Sequence, residues 1–152
     1  MCWVGQKTDK KIAQEDIRCK KVLLGAPKEI YYAYFHEYFE YEFGKLYKAE
    51  IKPQIANYDD TNLGNWEVCN INEGLHCYSW NIKVERLCGG ALSITDIRGR
   101  EATYPPRIFK PVLVECTIPK GAEYWENDSG VIVSNRLIIE EEIYEKYYGE
   151  IE

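Results

Sequence analysis

The sequence predicts a single α+β domain, built mainly on a twisted antiparallel sheet with few short helices. Three observations predict it. Apolar and polar residues alternate with the period of two that a half-buried strand shows, most clearly from Val112 to Ile118. Turn residues recur between such stretches, at Gly44-Lys45, Gly89-Gly90, Pro119-Lys120-Gly121 and Asn127-Asp128-Ser129-Gly130. A chain of 152 residues with 45% apolar and 29% charged residues is long enough to bury its own core and is globular in composition.

The elements follow in order. Residues 1–11 are polar and read as a flexible N-terminal arm, which leaves 12–152 as the domain. Ile12 to Asp16 could form one helical turn. Ile17 to Leu24 reads as a strand, stopped by Gly25-Ala26-Pro27. An aromatic run follows, with nine aromatic residues from Tyr31 to Tyr47. Tyr31, Tyr34, Phe35 and Tyr38 match helical spacing, so the first half stays open between helix and strand. Phe39, Tyr41 and Phe43, with Glu40 and Glu42 between them, predict a strand. Gly44-Lys45 then turns the chain into a second strand, Leu46 to Ile51, and such a hairpin would set aromatic rings beside one another.

Residues 52–72 carry Pro53, Asn57, Asp59, Asp60, Asn62, Gly64 and Asn65, which is the chemistry of a covering loop. Leu75 to Trp80 is a short strand. Asn81 to Cys88 reads as a short helix ended by Gly89-Gly90. Residues 91–110 read as irregular, and Tyr104-Pro105-Pro106 cannot sit inside a central strand. After Val112 to Ile118 come a short extended piece, Ala122 to Glu126, and strands at Val131 to Val133 and Leu137 to Ile139. Glu140 to Tyr148 reads as a terminal helix with Glu140, Glu141 and Glu142 in its first turn, where the helix dipole favours carboxylates.

Charge and cysteine usage exclude some functions. The net charge is −6, which disfavours nucleic acid as a partner. Residues 1–30 are nonetheless basic, with Lys7, Lys10, Lys11, Arg18, Lys20, Lys21 and Lys28, and these read as a solvated edge. The six cysteines do not imply disulfides. Met1-Cys2-Trp3-Val4-Gly5 leads at once into polar residues, so no secretory leader is expected. A cytoplasmic location is expected, and there thiols stay reduced. No apolar run is long enough to cross a membrane as a helix.

Candidate chemistry is sparse. Cys69, His76, Cys77 and Cys88 are zinc-type ligands, but no C-x-x-C pair stands among them. The cysteines read instead as small buried hydrophobes, and no metal or cofactor is expected. His76 cannot readily activate Cys77, because neighbouring strand residues point to opposite faces. His36, inside the aromatic run, reads as a packed or solvated side chain. No phosphate-cradling glycine motif and no nucleophile elbow is present.

Three segments together carry a resemblance: Ile17-Arg18-Cys19-Lys20-Lys21-Val22-Leu23, Glu73-Gly74-Leu75-His76-Cys77-Tyr78-Ser79, and Ile118-Pro119-Lys120-Gly121-Ala122-Glu123-Tyr124-Trp125. The set resembles a family of small proteins encoded by phages and prophages of gut bacteria. That resemblance implies a phage or mobile-element setting and brings no activity with it. The Gly74–Ser79 and Pro119-Lys120-Gly121 segments also resemble parts of the mono-ADP-ribosyltransferase fold, without the glutamate that family uses for catalysis. Glu126 precedes the turn where that carboxylate would fall, and Glu140 lies too far along.

Two functions follow. The first is a non-enzymatic accessory protein that binds another protein, of host or phage, with Trp3, Tyr31, Tyr32 and Tyr34 as the interaction surface, since Tyr and Trp anchor interfaces. The alternative is a binder of NAD or another small nucleotide, or a degenerate ADP-ribosyltransferase-like protein. There His76, Tyr78 and Trp80 would hold the ligand, and His76, Ser79 and Arg18 are the candidate catalytic groups.

Overall fold

A computed structural model describes residues 3–6, 10–35, 39–60 and 64–148, with side chains outside Trp3–Gln6, Lys52–Asp60 and Gly64–Glu73. In chain order the strands are β1 (Trp3–Gln6), β2 (Lys11–Ile12), β3 (Ile17–Ala26), β4 (Ile30–Ala33), β5 (Glu40–Tyr41) and β6 (Leu46–Lys48). Then come β7 (Lys52–Asp60), β8 (Gly64–Glu73), β9 (Leu75–Ser79), β10 (Lys83–Arg86), β11 (Leu92–Thr95) and β12 (Glu101–Tyr104). The last four are β13 (Lys110–Ile118), β14 (Glu123–Glu126), β15 (Val131–Ser134) and β16 (Arg136–Glu142). All pairings among the described residues are antiparallel. They build a ten-stranded sheet and two three-stranded sheets, β1-β8-β7 and β10-β11-β12.

The large sheet centres on β3 and β13, which pair residue for residue from Ile17↔Ile118 to Gly25↔Lys110. Both faces of this pair are buried, so the apolar residues run on without alternation in Val22-Leu23-Leu24 and Val112-Leu113-Val114. Cys19 and Leu23 join Val112, Val114, Cys116 and Ile118 in one core, around which the sheet curls to bring in Cys77, Ile132 and Leu137. Val22, Leu24 and Leu113 face a second core, closed by Ile82, Val84, Leu92, Ile94 and Tyr104 of the β10-β11-β12 region. No helix among the described residues is long and apolar enough to cross a membrane.

The antiparallel sheet is as the sequence predicts, but the helices that would make the fold α+β are replaced by strands. Lys11–Ile12 pairs with β14 instead of coiling. Residues 83–86 form a hairpin with β11, because Gly89 and Gly90, at φ 87 and 90, make a hairpin turn and not a helix cap. The segment after Ile139 stays extended, with β13 offering a ladder in which Glu115 faces Glu141 and Val114 faces Glu142. A bulge at this point takes up the extra residue. A 3-10 turn, Glu145–Tyr147, is the one helical element among the described residues.

Other differences are local. The expected loop at 52–72 contains the paired strands β7 and β8, and residues 91–110 hold β11 and β12 before Pro105-Pro106 ends the ladder. Within the span read as an arm, Trp3–Gln6 lies along β8. The expected hairpin across Gly44 does not pair with itself. Its first strand, β5, pairs with β4, and its second, β6, pairs with β16. The rings still meet, with Tyr41 and Tyr47 centroids 4.8 Å apart.

Gly74 joins β8 to β9 at φ 125, and a Cβ there would stand 2.4 Å from Cγ1 of Val133, which is wholly buried. Neither the backbone nor that neighbour can yield. Gly74→Ala should therefore cost about 2–3 kcal/mol and lower the melting temperature by about 5–10 °C in a thermal circular-dichroism scan. Gly44→Ala, at φ 79 with open space around it, should cost only about 1 kcal/mol.

Candidate functional site

Strand β3 is paired along one edge by β13, but its other edge is shared. Cys19 and Lys20 pair with Ser79 and Tyr78 of β9, whereas Leu23 to Ala26 pair with Ala33 to Ile30 of β4. Between them, at Lys21 and Val22, β9 and β4 diverge and leave a fork in the sheet. The fork opens a cavity of about 160 Å3. Lys21 bridges it, donating from Nζ to the His76 carbonyl at 2.6 Å in place of a ladder hydrogen bond.

Tyrosine rings build the walls, and their hydroxyls are largely paired. Tyr78 and Tyr104 share a 2.6 Å hydrogen bond, and Tyr34 donates to the Pro105 carbonyl at 2.6 Å. Tyr34 meets Tyr104 edge to face at 5.0 Å. The Lys21 ammonium stands 5.8 Å from the Tyr41 ring. Phe35, 53% exposed, lies on the rim, and Phe39, 47% exposed, packs at a tilt against Tyr41 beside it. Among the described residues no carboxylate lines the cavity.

The fork gathers only part of the sequence-predicted set. His76 and Tyr78 line it. Arg18 and Trp80 lie in a separate groove of about 340 Å3, with Glu115, Glu141, Tyr144 and Tyr147. There Arg18 lies 3.8 Å above the Trp80 ring and pairs with Glu115 at 2.9 Å, while the buried Lys20 ammonium lies 4.6 Å from the same ring. The Ser79 hydroxyl is buried without a hydrogen-bond partner among the described residues, at the turn that carries Gly130. His76, Ser79 and Arg18 therefore do not converge on one reacting centre. Glu126, on β14, lines neither recess.

The expected interaction surface is also redrawn. Tyr31 and Tyr34 are buried. Tyr31 stacks on Phe43 at 4.6 Å and donates to Glu142 at 2.8 Å, and Tyr32 stacks on Phe109 at 5.8 Å. The Trp3 side chain and His36 lie outside the described residues. Among the described residues the exposed rings of the same run are Phe35, Phe39 and Phe43. Only strand register separates inward from outward rings here, and the mixed periodicity of the run concealed it.

Cysteines are packing residues. Cys19, Cys77 and Cys116 sit on adjacent strands and are wholly buried, with Cys116 opposite Cys19. Burial, with its hydrogen bonding to Cys116 and Cys77, pushes the Cys19 thiol well above its ordinary pKa. Cys88 is exposed in a turn away from them, and the Cys69 side chain lies outside the described residues. Among the described residues no group of three or more His, Cys, Asp or Glu is arranged to hold a metal ion.

Comparison with protein-family models, with curated proteins and with solved structures finds no match to the chain.

Two measurements check this chemistry. Iodoacetamide on the native protein at pH 8 should label Cys88 and spare Cys19, Cys77 and Cys116. The unfolded chain should take label at all four, read by peptide mass spectrometry. Alkaline titration tests the tyrosines. Burial, with the Glu142 carboxylate, pushes Tyr31 up to about 12, and burial raises Tyr34, Tyr78, Tyr104 and Tyr148. A phenol with a raised folded pKa keeps its proton where the unfolded chain loses it. Its contribution is therefore fully present below pH ~10 and drains away from there to about 12. Denaturant midpoints should fall steeply over that window, and less steeply in Tyr31→Phe.

Proposed function

We propose that the chain is a non-catalytic protein-interaction module that takes one apolar side chain of a partner polypeptide into the fork cavity. The observation that carries this reading is the tyrosine-walled cavity with exposed Phe35 on its rim and Phe39 beside it. A recess of about 160 Å3 is below the roughly 300 Å3 at which small-molecule sites begin, and is of the order of one large side chain. Exposed aromatic rings around a small deep pocket are the usual composition of an interface anchor. A cytoplasmic accessory protein of a phage or mobile element, as the family resemblance implies, fits this reading.

A nucleotide fits poorly. The fork by itself is too small for one, and the groove around Arg18 presents Glu115, Glu141 and Glu142, which repel phosphate. The candidate catalytic groups are also dispersed between the two recesses and a buried turn.

A displayed library of random peptides, panned against the purified protein, tests the proposal. Enriched sequences should share one large apolar anchor. Their affinity should fall about 5- to 30-fold in Phe35→Ala and in Phe39→Ala, equivalent to about 1–2 kcal/mol each. Enrichment of no common anchor, or binding indifferent to both substitutions, would overturn it.

A further inference from the structure

The charge around the fork narrows the partner. The chain holds 25 Asp and Glu against 19 Lys and Arg, yet among the described residues no carboxylate lines the fork, and Lys21 stands in it. Glu40 and Glu42, on the neighbouring strand and turn, are exposed, and Glu42 stands 3.8 Å from Lys45. The Lys21 ammonium has three N–H groups, and the His76 carbonyl takes one of them at 2.6 Å. That hydrogen bond fixes the ammonium at the edge of the cavity, with donors left for an anion beside an apolar recess.

A second recess adjoins the first. Tyr34, Phe35 and Tyr104 are common to both, and the neighbouring depression continues over Pro105, Pro106 and Ile108, which is 69% exposed. The two together offer a small pocket with Lys21 at one end and, leading away from it, a shelf on which Ile108 and the prolines stand beside Arg107.

We infer that the fork captures the C-terminal residue of a partner polypeptide, its carboxylate on Lys21, its apolar side chain between Tyr34, Tyr41 and Tyr78, and the preceding residues over the Phe35–Ile108 shelf. This rests on the protein-interaction reading above and adds the terminus to it. A terminal carboxylate on an apolar side chain supplies the anion and the apolar body together, in a volume that a mid-chain segment with its continuing backbone would exceed. Desolvation in the recess strengthens the ion pair beyond what an exposed lysine would give.

The test uses N-acetylated tripeptides ending in Phe, Leu or Val, each as free carboxylate and as C-terminal amide, titrated into the full-length protein by isothermal calorimetry. Phenylacetate serves as a small free acid. The carboxylates should bind at least roughly tenfold more tightly than the amides. The difference should collapse in Lys21→Met and persist in Lys21→Arg, with circular dichroism confirming that both variants fold. Equal binding of carboxylates and amides would overturn the inference and leave the protein-interaction reading standing. So would failure of all tripeptides where displayed internal peptides bind. Failure of both kinds of peptide would remove the two readings together. Phenylacetate binding as tightly as the tripeptides would overturn the terminus and make a free carboxylic acid the ligand.

Discussion

Strand β3 has to satisfy more neighbours than one strand normally meets, and much of the molecule is arranged around that demand. Its residues feed two cores at once, Cys19 and Leu23 into one and Val22 and Leu24 into the other. One edge is sealed by β13 over its whole length. The other edge must accept both β9 and β4, which cannot occupy the same line, so the ladder parts at Lys21 and Val22. A gap in the middle of a buried sheet would strand backbone groups at a cost of about 1–3 kcal/mol each. Lys21 prevents part of that loss by hydrogen bonding to the His76 carbonyl. The cavity is thus a consequence of the topology, and the lysine that makes the topology tolerable is also the one cation available in the recess.

The same strand shows why cationic residues in sequence are a poor guide to surface. Arg18, Lys20 and Lys21 read as part of a solvated basic edge, yet they have three different fates. Arg18 stacks on Trp80 and pairs with Glu115. Lys20 is 1% exposed, with its ammonium 4.6 Å from the Trp80 ring and 3.5 Å from the Ile82 carbonyl. Lys21 bridges the fork. Trp80, one of the residues expected to hold a ligand, therefore has a packing partner in each of two cations of its own chain.

Elements whose signal is local were legible in the sequence. Val112 to Ile118 alternates strictly after a continuous apolar start, and Pro119-Lys120-Gly121 and Asn127 to Gly130 turn where their residue chemistry says they must. The failures came where one local pattern serves two structures. Gly89-Gly90 ends a helix or closes a hairpin equally well, and only β12, adding a third strand at Leu92↔Tyr104, decides for the hairpin. Glu140 to Glu142 suit a helix start, but β13 offers a ladder partner that no sequence window reveals. The fork was the least legible feature. His76 and Tyr78 could be marked because they stand together on one short strand, whereas Lys21, Tyr34 and Tyr41 reach the cavity from strands brought beside it by long-range pairing.

Recognition at such a fork depends as much on what is kept out as on what is drawn in. Strand β9 supplies His76 and Tyr78 to the cavity, and Trp80, directly after it, to the groove. Among the described residues the two recesses differ in charge, the cavity with Lys21 and no carboxylate, the groove with Glu115, Glu141 and Glu142 around Arg18. Glu115 already neutralises Arg18 at 2.9 Å. An anion approaching this part of the molecule therefore meets repulsion at one recess and an ammonium at the other, so repulsion and attraction both contribute to discrimination. Lys21 alone would be an ordinary surface lysine. Set in a tyrosine-walled recess beside an acidic groove, it gives a small binding surface both an anchor and a direction.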